Sequence, residues 1–222
     1  MRVKKLLKSP LLQIALDTPS TVFVSEVLRQ IPTSDRIIIE TGTPLIKKYG
    51  LKIIRHIRRE IKDAFVIADL KTLDVGKLEA RLAYEESADG AVVSGLAPRQ
   101  TIEEFLRECK NLHMYGVVDM IAVHDPIKVI KSIDILPDIV ILHRGIDEEL
   151  QKTLSLPLIK RIKKKADEHL LVAIAGGVDL FGAKKALRYG ADIIVVGRYV
   201  TESKNPRNAT TELLSLIERR NY

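Results

Sequence analysis

Tryptophan is absent from this 222-residue chain and cysteine occurs once. With Cys109 alone no intrachain disulfide can form, which excludes disulfide-stapled scaffolds and suits a reducing cytoplasm. Four Phe and six Tyr give no aromatic-rich signature beside the lysines. No apolar run approaches the roughly 18–20 residues that span a bilayer, so no transmembrane helix is expected. The basic start, Met1-Arg-Val-Lys-Lys-Leu-Leu-Lys-Ser-Pro10, has too short an apolar section for a signal peptide and reads as a leading segment, 1–9. Low-complexity tracts, linkers and composition breaks are also missing, which favours one domain over 1–222. No Gly-x-Gly-x-x-Gly follows the first apolar run, and neither a Cys/His metal cluster nor a Gly-x-Ser-x-Gly elbow occurs.

What the chain does have is enough apolar residues, 46%, to bury a large core, together with 29% charged residues and a net charge of +7. That charge invites a nucleic-acid reading. The basic residues, however, spread over helix faces: Arg55, Arg58 and Arg59 in one, then Lys160, Arg161, Lys163, Lys164 and Lys165 in another. A solvated face laced with ion pairs explains them more simply, and an anionic, phosphorylated substrate suits the charge equally well. A basic nucleic-acid-binding barrel is kept as the non-enzymatic alternative.

Eight short apolar runs alternate with amphipathic helical patterns: Leu11–Leu16, Arg36–Ile39, Ala64–Ala68, Ala91–Val93, Val117–Val123, Asp138–Leu142, Leu170–Ala175 and Asp192–Val196. Most are apolar throughout, as parallel strands covered on both faces are. Between them, Val24, Val27, Leu28 and Ile31 keep helical spacing, as do Leu51, Ile54, Ile57 and Ile61. Thr101 and Glu104 form a capping-box pattern. Asp125-Pro126 reads as a helix start, and Ala183, Ala186 and Leu187 run to a terminating Gly190. Thr211 to Arg220 supplies a last helix. Cys109, in phase with Ile102, Phe105 and Leu112, reads as core. Eight strand–helix units at this length predict a (β/α)8 TIM barrel, with a doubly wound open sheet as the competitor. The likeness of Ala88-Asp-Gly-Ala-Val-Val-Ser-Gly95 to Ala191-Asp-Ile-Ile-Val-Val-Gly197 hints at a repeated unit.

In such a barrel the C-terminal strand ends form one rim, which carries the active site. Here they deliver Asp17, Glu40, Asp69 with Lys71, and His143. Asp69 and Lys71, two apart, project to one side if their strand continues, and Asp74 falls where the chain turns. Glu40 and Asp69 are hard oxygen ligands, enough to hold Mg²⁺ (or Mn²⁺) that also binds substrate oxygens. His143 can exchange a proton near neutral pH. Lys71, flanked by carboxylates, is expected to stay protonated. Gly176 and Gly177 after strand seven, with Gly197 and Arg198 after strand eight, suit a phosphate site. Among the other histidines only His124, after strand five, is kept as a possible substrate contact.

With these residues in hand, the chain resembles the orotidine 5′-phosphate decarboxylase suprafamily, most of all its 3-hexulose-6-phosphate synthase branch. The resemblance rests on Leu12-Gln-Ile-Ala-Leu-Asp17, Glu40-Thr-Gly-Thr-Pro-Leu-Ile46, Asp69-Leu-Lys-Thr-Leu-Asp74, His143-Arg-Gly-Ile-Asp147, Ala175-Gly-Gly-Val178 and Val195-Val-Gly-Arg-Tyr-Val-Thr201. It implies Mg²⁺ on Glu40 and Asp69, substrate contacts from Asp17 and Lys71, and a proton moved by His143. It also implies phosphate held by Gly176, Gly177, Gly197 and Arg198, and a homodimer in which Asp74 enters the neighbouring subunit's site. The implied reaction joins formaldehyde to D-ribulose 5-phosphate, or reverses that step, through a metal-stabilised enediolate. Decarboxylation of 3-keto-L-gulonate 6-phosphate is the alternative; there an arginine typically stands where this chain has Ile146, although Arg144 is less typical of synthases. Orotidylate decarboxylation ranks lower, because Val75-Gly-Lys-Leu replaces that branch's usual continuation.

Overall fold

The computed structural model describes residues 5, 6, 10–148, 156–164 and 169–218. Most of the 1–9 segment, Lys165, and residues 219 and 220 of the expected last helix lie outside them.

Eight parallel strands close into a barrel in sequence order, with β1 pairing to both β2 and β8. They are β1 (Leu11–Leu16), β2 (Ile37–Thr41), β3 (Phe65–Thr72), β4 (Gly90–Ser94), β5 (Tyr115–Asp119), β6 (Ile139–His143), β7 (Leu171–Ala175) and β8 (Ile193–Val196). The covering helices begin with α1 (Thr21–Leu28), α2 (Thr43–Tyr49), α3 (Ile53–Glu60), α4 (Gly76–Glu85) and α5 (Arg99–Asn111). They continue with α6 (Pro126–Ser132), α7 (Leu156–Lys163), α8 (Leu180–Arg188), the single turn α9 (Arg198–Thr201) and α10 (Pro206–Glu218). The predicted closed barrel is thus observed, and the open sheet is excluded.

Each strand is buried on both faces, so polarity does not alternate along it, but packing does. In β1, Leu12, Ile14 and Leu16 join the layer beneath the helices. Leu11 and Ala15 join the separate cluster inside the barrel. The same parity puts Ile38, Phe65, Ile67, Val117, Ile139 and Ile141 inside. Two residues further along, the interior series reaches the rim, where it turns polar on β1 to β6 and reaches glycine on β7 and β8.

The opposite rim shows a repeat. Asp89, Asp138 and Asp192 each precede an even-numbered strand, and each takes the backbone N–H of the preceding odd strand on its carboxylate. The acceptances are from Val66 at 2.8 Å, Gly116 at 2.8 Å and Val172 at 2.9 Å. The same three aspartates donate their own N–H groups back to the carbonyls of Val66, Gly116 and Val172. The Ala88-Asp and Ala191-Asp likeness therefore marks a shared structural task at the bottom of the barrel, and Asp138 performs it with a different neighbour sequence.

Two local expectations are corrected. The strand expected at Val117–Val123 ends at Asp119, because Asp119 Oδ1 accepts the Ile121 N–H at 2.8 Å and turns the chain. Met120 to Val123 is apolar yet lies in that turn, with Ala122 left-handed at φ 58°. His124 consequently falls five residues beyond the strand end and is exposed. The Thr101–Glu104 capping box is not formed: α5 starts at Arg99 behind Pro98, a turn earlier, and Glu104 pairs with Arg107. By contrast, Asp125 caps α6 by accepting from the Lys128 N–H, with Pro126 opening the helix. Cys109 is buried, and burial pushes its thiol above the ordinary range.

Candidate active site

At the C-terminal rim the strand ends surround a cavity of about 620 Å³. Its lining includes Asp17, Glu40, Asp69, Lys71, His143, Gly176, Gly177, Gly197 and Arg198. Two of the predicted residues stand elsewhere: His124, beyond the turn after β5, and Asp74, which is exposed beside a groove between α4 and α5, with its Oδ1 accepting the Val75 N–H at 2.8 Å.

Parity explains the convergence. Asp17 continues Leu11, Gln13 and Ala15; Glu40 continues Ile38; Asp69 continues Phe65 and Ile67; His143 continues Ile139 and Ile141. Lys71 continues the series of β3 past Asp69, beside an irregularity in the sheet. The β3–β4 register shifts between Ala68 and Thr72, and Lys71 takes a left-handed backbone at φ 47°. Because β3 runs on to Thr72, Lys71 still shares the side of Asp69, as their spacing predicts.

The residue that sequence reasoning missed is Asp119. It ends β5 in phase with interior Val117 and is 1% exposed. Its Oδ2 lies 2.9 Å from His143 Nδ1 and 3.2 Å from Lys71 Nζ. Lys71 Nζ also lies 2.5 Å from Asp69 Oδ2, so one lysine joins two carboxylates on strands β3 and β5. The misplaced end of strand five hid this acid.

The cavity carries more negative charge than positive. Burial, followed by the neighbouring charge of Asp69, raises the Asp17 carboxyl above its ordinary range. Burial and the charges of Asp69 and Asp17 push Glu40 well above its own, with Lys71 and a hydrogen bond from Gln13 only partly offsetting them. For Lys71, burial opposes the ammonium, yet Asp69, Asp119 and Glu40 outweigh it and raise the pKa. The lysine therefore stays charged across the neutral range, as expected. For Asp119, burial works against the carboxylate, but the hydrogen bond and charge of His143, with Lys71, hold its pKa below the usual value.

This donor set fits a divalent cation bound by few protein ligands. Glu40 and Asp69 are adjacent buried carboxylates on β2 and β3, and Asp69 Oδ1 is buried with no hydrogen-bond partner among the described residues. No three His, Cys, Asp or Glu side chains among the described residues form a ready-made cage. That pattern suits Mg²⁺ or Mn²⁺, which keep positions for water and substrate oxygens.

Two backbone features tighten the rim. A Cβ on Gly42 would stand 2.1 Å from Asp17 Oδ1, so only glycine lets the β2–α2 turn approach that carboxylate. Gly176 has φ 98°, and a Cβ there would stand 1.9 Å from the Arg144 carbonyl oxygen. Arg144 in turn donates to the Gly176 carbonyl at 3.1 Å, tying the β6 and β7 loops together.

Comparison with known proteins agrees with this geometry. The model of the orotidine 5′-phosphate decarboxylase / HUMPS family matches residues 10–213. A bifunctional enzyme Fae/Hps from Methanothrix thermoacetophila is 48% identical over 220 residues, covering 98% of this chain. The chain spans 55% of that relative's length. A crystal structure of a 3-hexulose-6-phosphate synthase superposes with a TM-score of 0.83 at 30% identity, covering 95% of this chain and 100% of that one. The 3-hexulose-6-phosphate synthase from Salmonella typhimurium gives 0.85 at 27% identity, covering 95% and 98%. This chain, by its sequence as by its barrel, belongs to the orotidine 5′-phosphate decarboxylase / HUMPS family.

Proposed function

We propose that the chain is an aldehyde-lyase of the 3-hexulose-6-phosphate synthase type, interconverting D-arabino-hex-3-ulose 6-phosphate with D-ribulose 5-phosphate and formaldehyde. The observation that carries this reading is the relay Asp69–Lys71–Asp119–His143 beside buried Glu40, in one cavity. In the cleavage direction the C1 hydroxyl loses its proton, the C1–C2 bond breaks to release formaldehyde, and the remaining enediolate takes a proton at carbon. With Nδ1 facing Asp119, His143 presents Nε2 to the substrate as the proton-exchanging atom. Lys71 stays an ammonium and stabilises developing negative charge on the sugar oxygens. Asp17, beside Gly42, orients substrate hydroxyls. Gly176, Gly177, Gly197 and Arg198 hold the phosphate at the far side of the cavity, where barrels of this kind commonly place it. Mg²⁺ or Mn²⁺, bound through Glu40 and Asp69, would supply Lewis-acid charge to the developing anion.

The decarboxylase alternative is disfavoured by Ile146, an exposed apolar residue lining the cavity where that activity's arginine is expected. The nucleic-acid alternative is weakened by α3, whose Arg55 and Arg58 turn to Glu86 and Asp89. No helix among the described residues is long and apolar enough to cross a membrane. We place the enzyme in a reducing cytoplasm, consistent with its single, buried thiol.

The active form is a homodimer. Leu73, Val75 and Leu78 are more than half exposed around Asp74, an apolar patch that a second copy would cover while receiving Asp74 in its own cavity. The deciding assay follows formaldehyde release from hexulose 6-phosphate with and without chelator. Release abolished by chelator and restored by Mg²⁺ supports the assignment; no metal-dependent release rejects it.

A further inference from the structure

The two oxygens of the Asp69 carboxylate have different surroundings. Oδ2 accepts from Lys71 Nζ at 2.5 Å and from Thr43 Oγ1 at 2.7 Å. Oδ1 is buried and has no hydrogen-bond partner among the described residues. Asp69 as a whole is 3% exposed, so bulk water does not fill the gap. A buried carboxylate oxygen without a donor is costly unless a positive centre meets it.

Thr43 is well placed to enforce this asymmetry. It opens α2, three residues after Glu40, and its hydroxyl reaches across to β3, where it lies 2.9 Å from the Asp69 backbone oxygen as well. The turn that carries it is anchored by the Gly42 N–H donating to the Leu16 carbonyl at 3.1 Å. Loss of the Thr43 hydroxyl would leave Lys71 as the only donor to Oδ2 among the described residues and free the carboxylate to rotate about its own axis. A flexible lysine fixes a plane less well than two donors do.

We propose that Thr43 is the positioning residue of the cation site: with Lys71 it occupies Asp69 Oδ2 and so leaves Oδ1 as the single oxygen offered to a divalent ion. The inference rests on the reading that Glu40 and Asp69 hold Mg²⁺ or Mn²⁺. Thr43 is not among the residues lining the cavity, so it acts through Asp69. Outer-shell partners of this kind typically change metal affinity by about 10–100-fold when removed.

The test is a titration of the full chain with Mn²⁺ alone, free ion being read by electron paramagnetic resonance without any turnover. Thr43→Val removes the hydroxyl at nearly constant shape, Thr43→Ala removes it with the branch, and Thr43→Ser keeps it. The expected result is Mn²⁺ binding weakened about tenfold or more in the Val and Ala variants, with Ser within about threefold of wild type. Circular dichroism identifies any variant that fails to fold, and the Ala variant carries the test if Val does not fold. Wild-type affinity in Thr43→Val, or Ser as weak as Val, overturns the role of Thr43 while leaving the cation site standing. No Mn²⁺ binding by the wild-type chain overturns the cation reading itself, and the role of Thr43 with it.

Discussion

Asp119 Oδ2 and His143 Nδ1 lie 2.9 Å apart across the adjacent ends of β5 and β6. A buried carboxylate on one imidazole nitrogen fixes which nitrogen meets the substrate. Because the same oxygen lies 3.2 Å from Lys71 Nζ, the histidine and the lysine share one counter-charge. Neither can move far without disturbing the other.

Asp119→Asn keeps the shape but removes that charge. It is expected to lower kcat by about 100-fold, the usual scale for a disturbed general acid–base group, with a much smaller change in KM. The variant also has a stability signature. Asp119 titrates below its unfolded value, so its contribution is complete above the ordinary carboxylate pKa and is lost as pH falls through the depressed one. Urea midpoints of wild type and variant should therefore converge as the pH drops below about 4. A constant gap between pH 7 and pH 3, or an unchanged kcat, would contradict the assignment.

Glu40 has the opposite sign. Its folded pKa is raised well above the ordinary value, so its favourable contribution exists below the unfolded pKa and disappears as pH rises through the folded one. In neutral buffer without divalent cations, burying this carboxyl is therefore a burden on the fold. Glu40→Gln should then melt higher than wild type, by roughly 2–4 °C for each ~1 kcal/mol relieved. The gap should close towards pH 4 and reverse on adding Mn²⁺, which stabilises only the chain that binds it. A lower melting temperature for Glu40→Gln in chelator at pH 7.5 would rule this out.

How much of this was legible beforehand depends on where the signal lay. A charged residue at the end of an apolar run reports both the strand's end and its phase, which is why Asp17, Glu40, Asp69 and His143 could be read directly. Asp119 obeys the same rule, in step with Val117, but Met120-Ile-Ala-Val123 follows it and disguises the turn as more strand. An aspartate two residues after an interior valine would have been the clue. Thr43 and Gln13 offered no such clue, because a hydroxyl or an amide in an apolar surrounding gains its meaning from what stands across the sheet. The bulge at Lys71 was likewise invisible: left-handed backbone at a lysine is set by tertiary packing, not by local preference.

The bottom rim offers a control that separates stability from chemistry. Asp192 accepts the Val172 N–H at 2.9 Å and Lys163 Nζ at 2.6 Å, at the end of the barrel opposite the cavity. Asp192→Ala strands a buried N–H and is expected to cost about 2–4 kcal/mol in urea unfolding. The kcat/KM of the remaining folded enzyme should stay within about twofold of wild type, since Asp192 and the cavity lie at opposite rims of the barrel. A variant as stable as wild type would deny the aspartate its part in closing the barrel.

Asp74 supplies the sharpest test of the dimer. It stands outside its own chain's cavity, among exposed Leu73, Val75 and Leu78, and the Val75 that follows it is itself left-handed at φ 48°. A β-branched residue in that conformation is strained, and it fixes the turn that presents Asp74 outward. If Asp74 completes the partner's site, Asp74→Ala and Lys71→Ala are each inactive alone. Mixed after subunit exchange, half of the dimers are hybrids, and each hybrid has one site with both residues intact. Activity should then return to about a quarter of wild type. Exchange is verified first, with one variant carrying a mass label. Verified hybrids with no recovered activity would place Asp74 in no site but its own chain's surface, and the shared cavity would have to be abandoned.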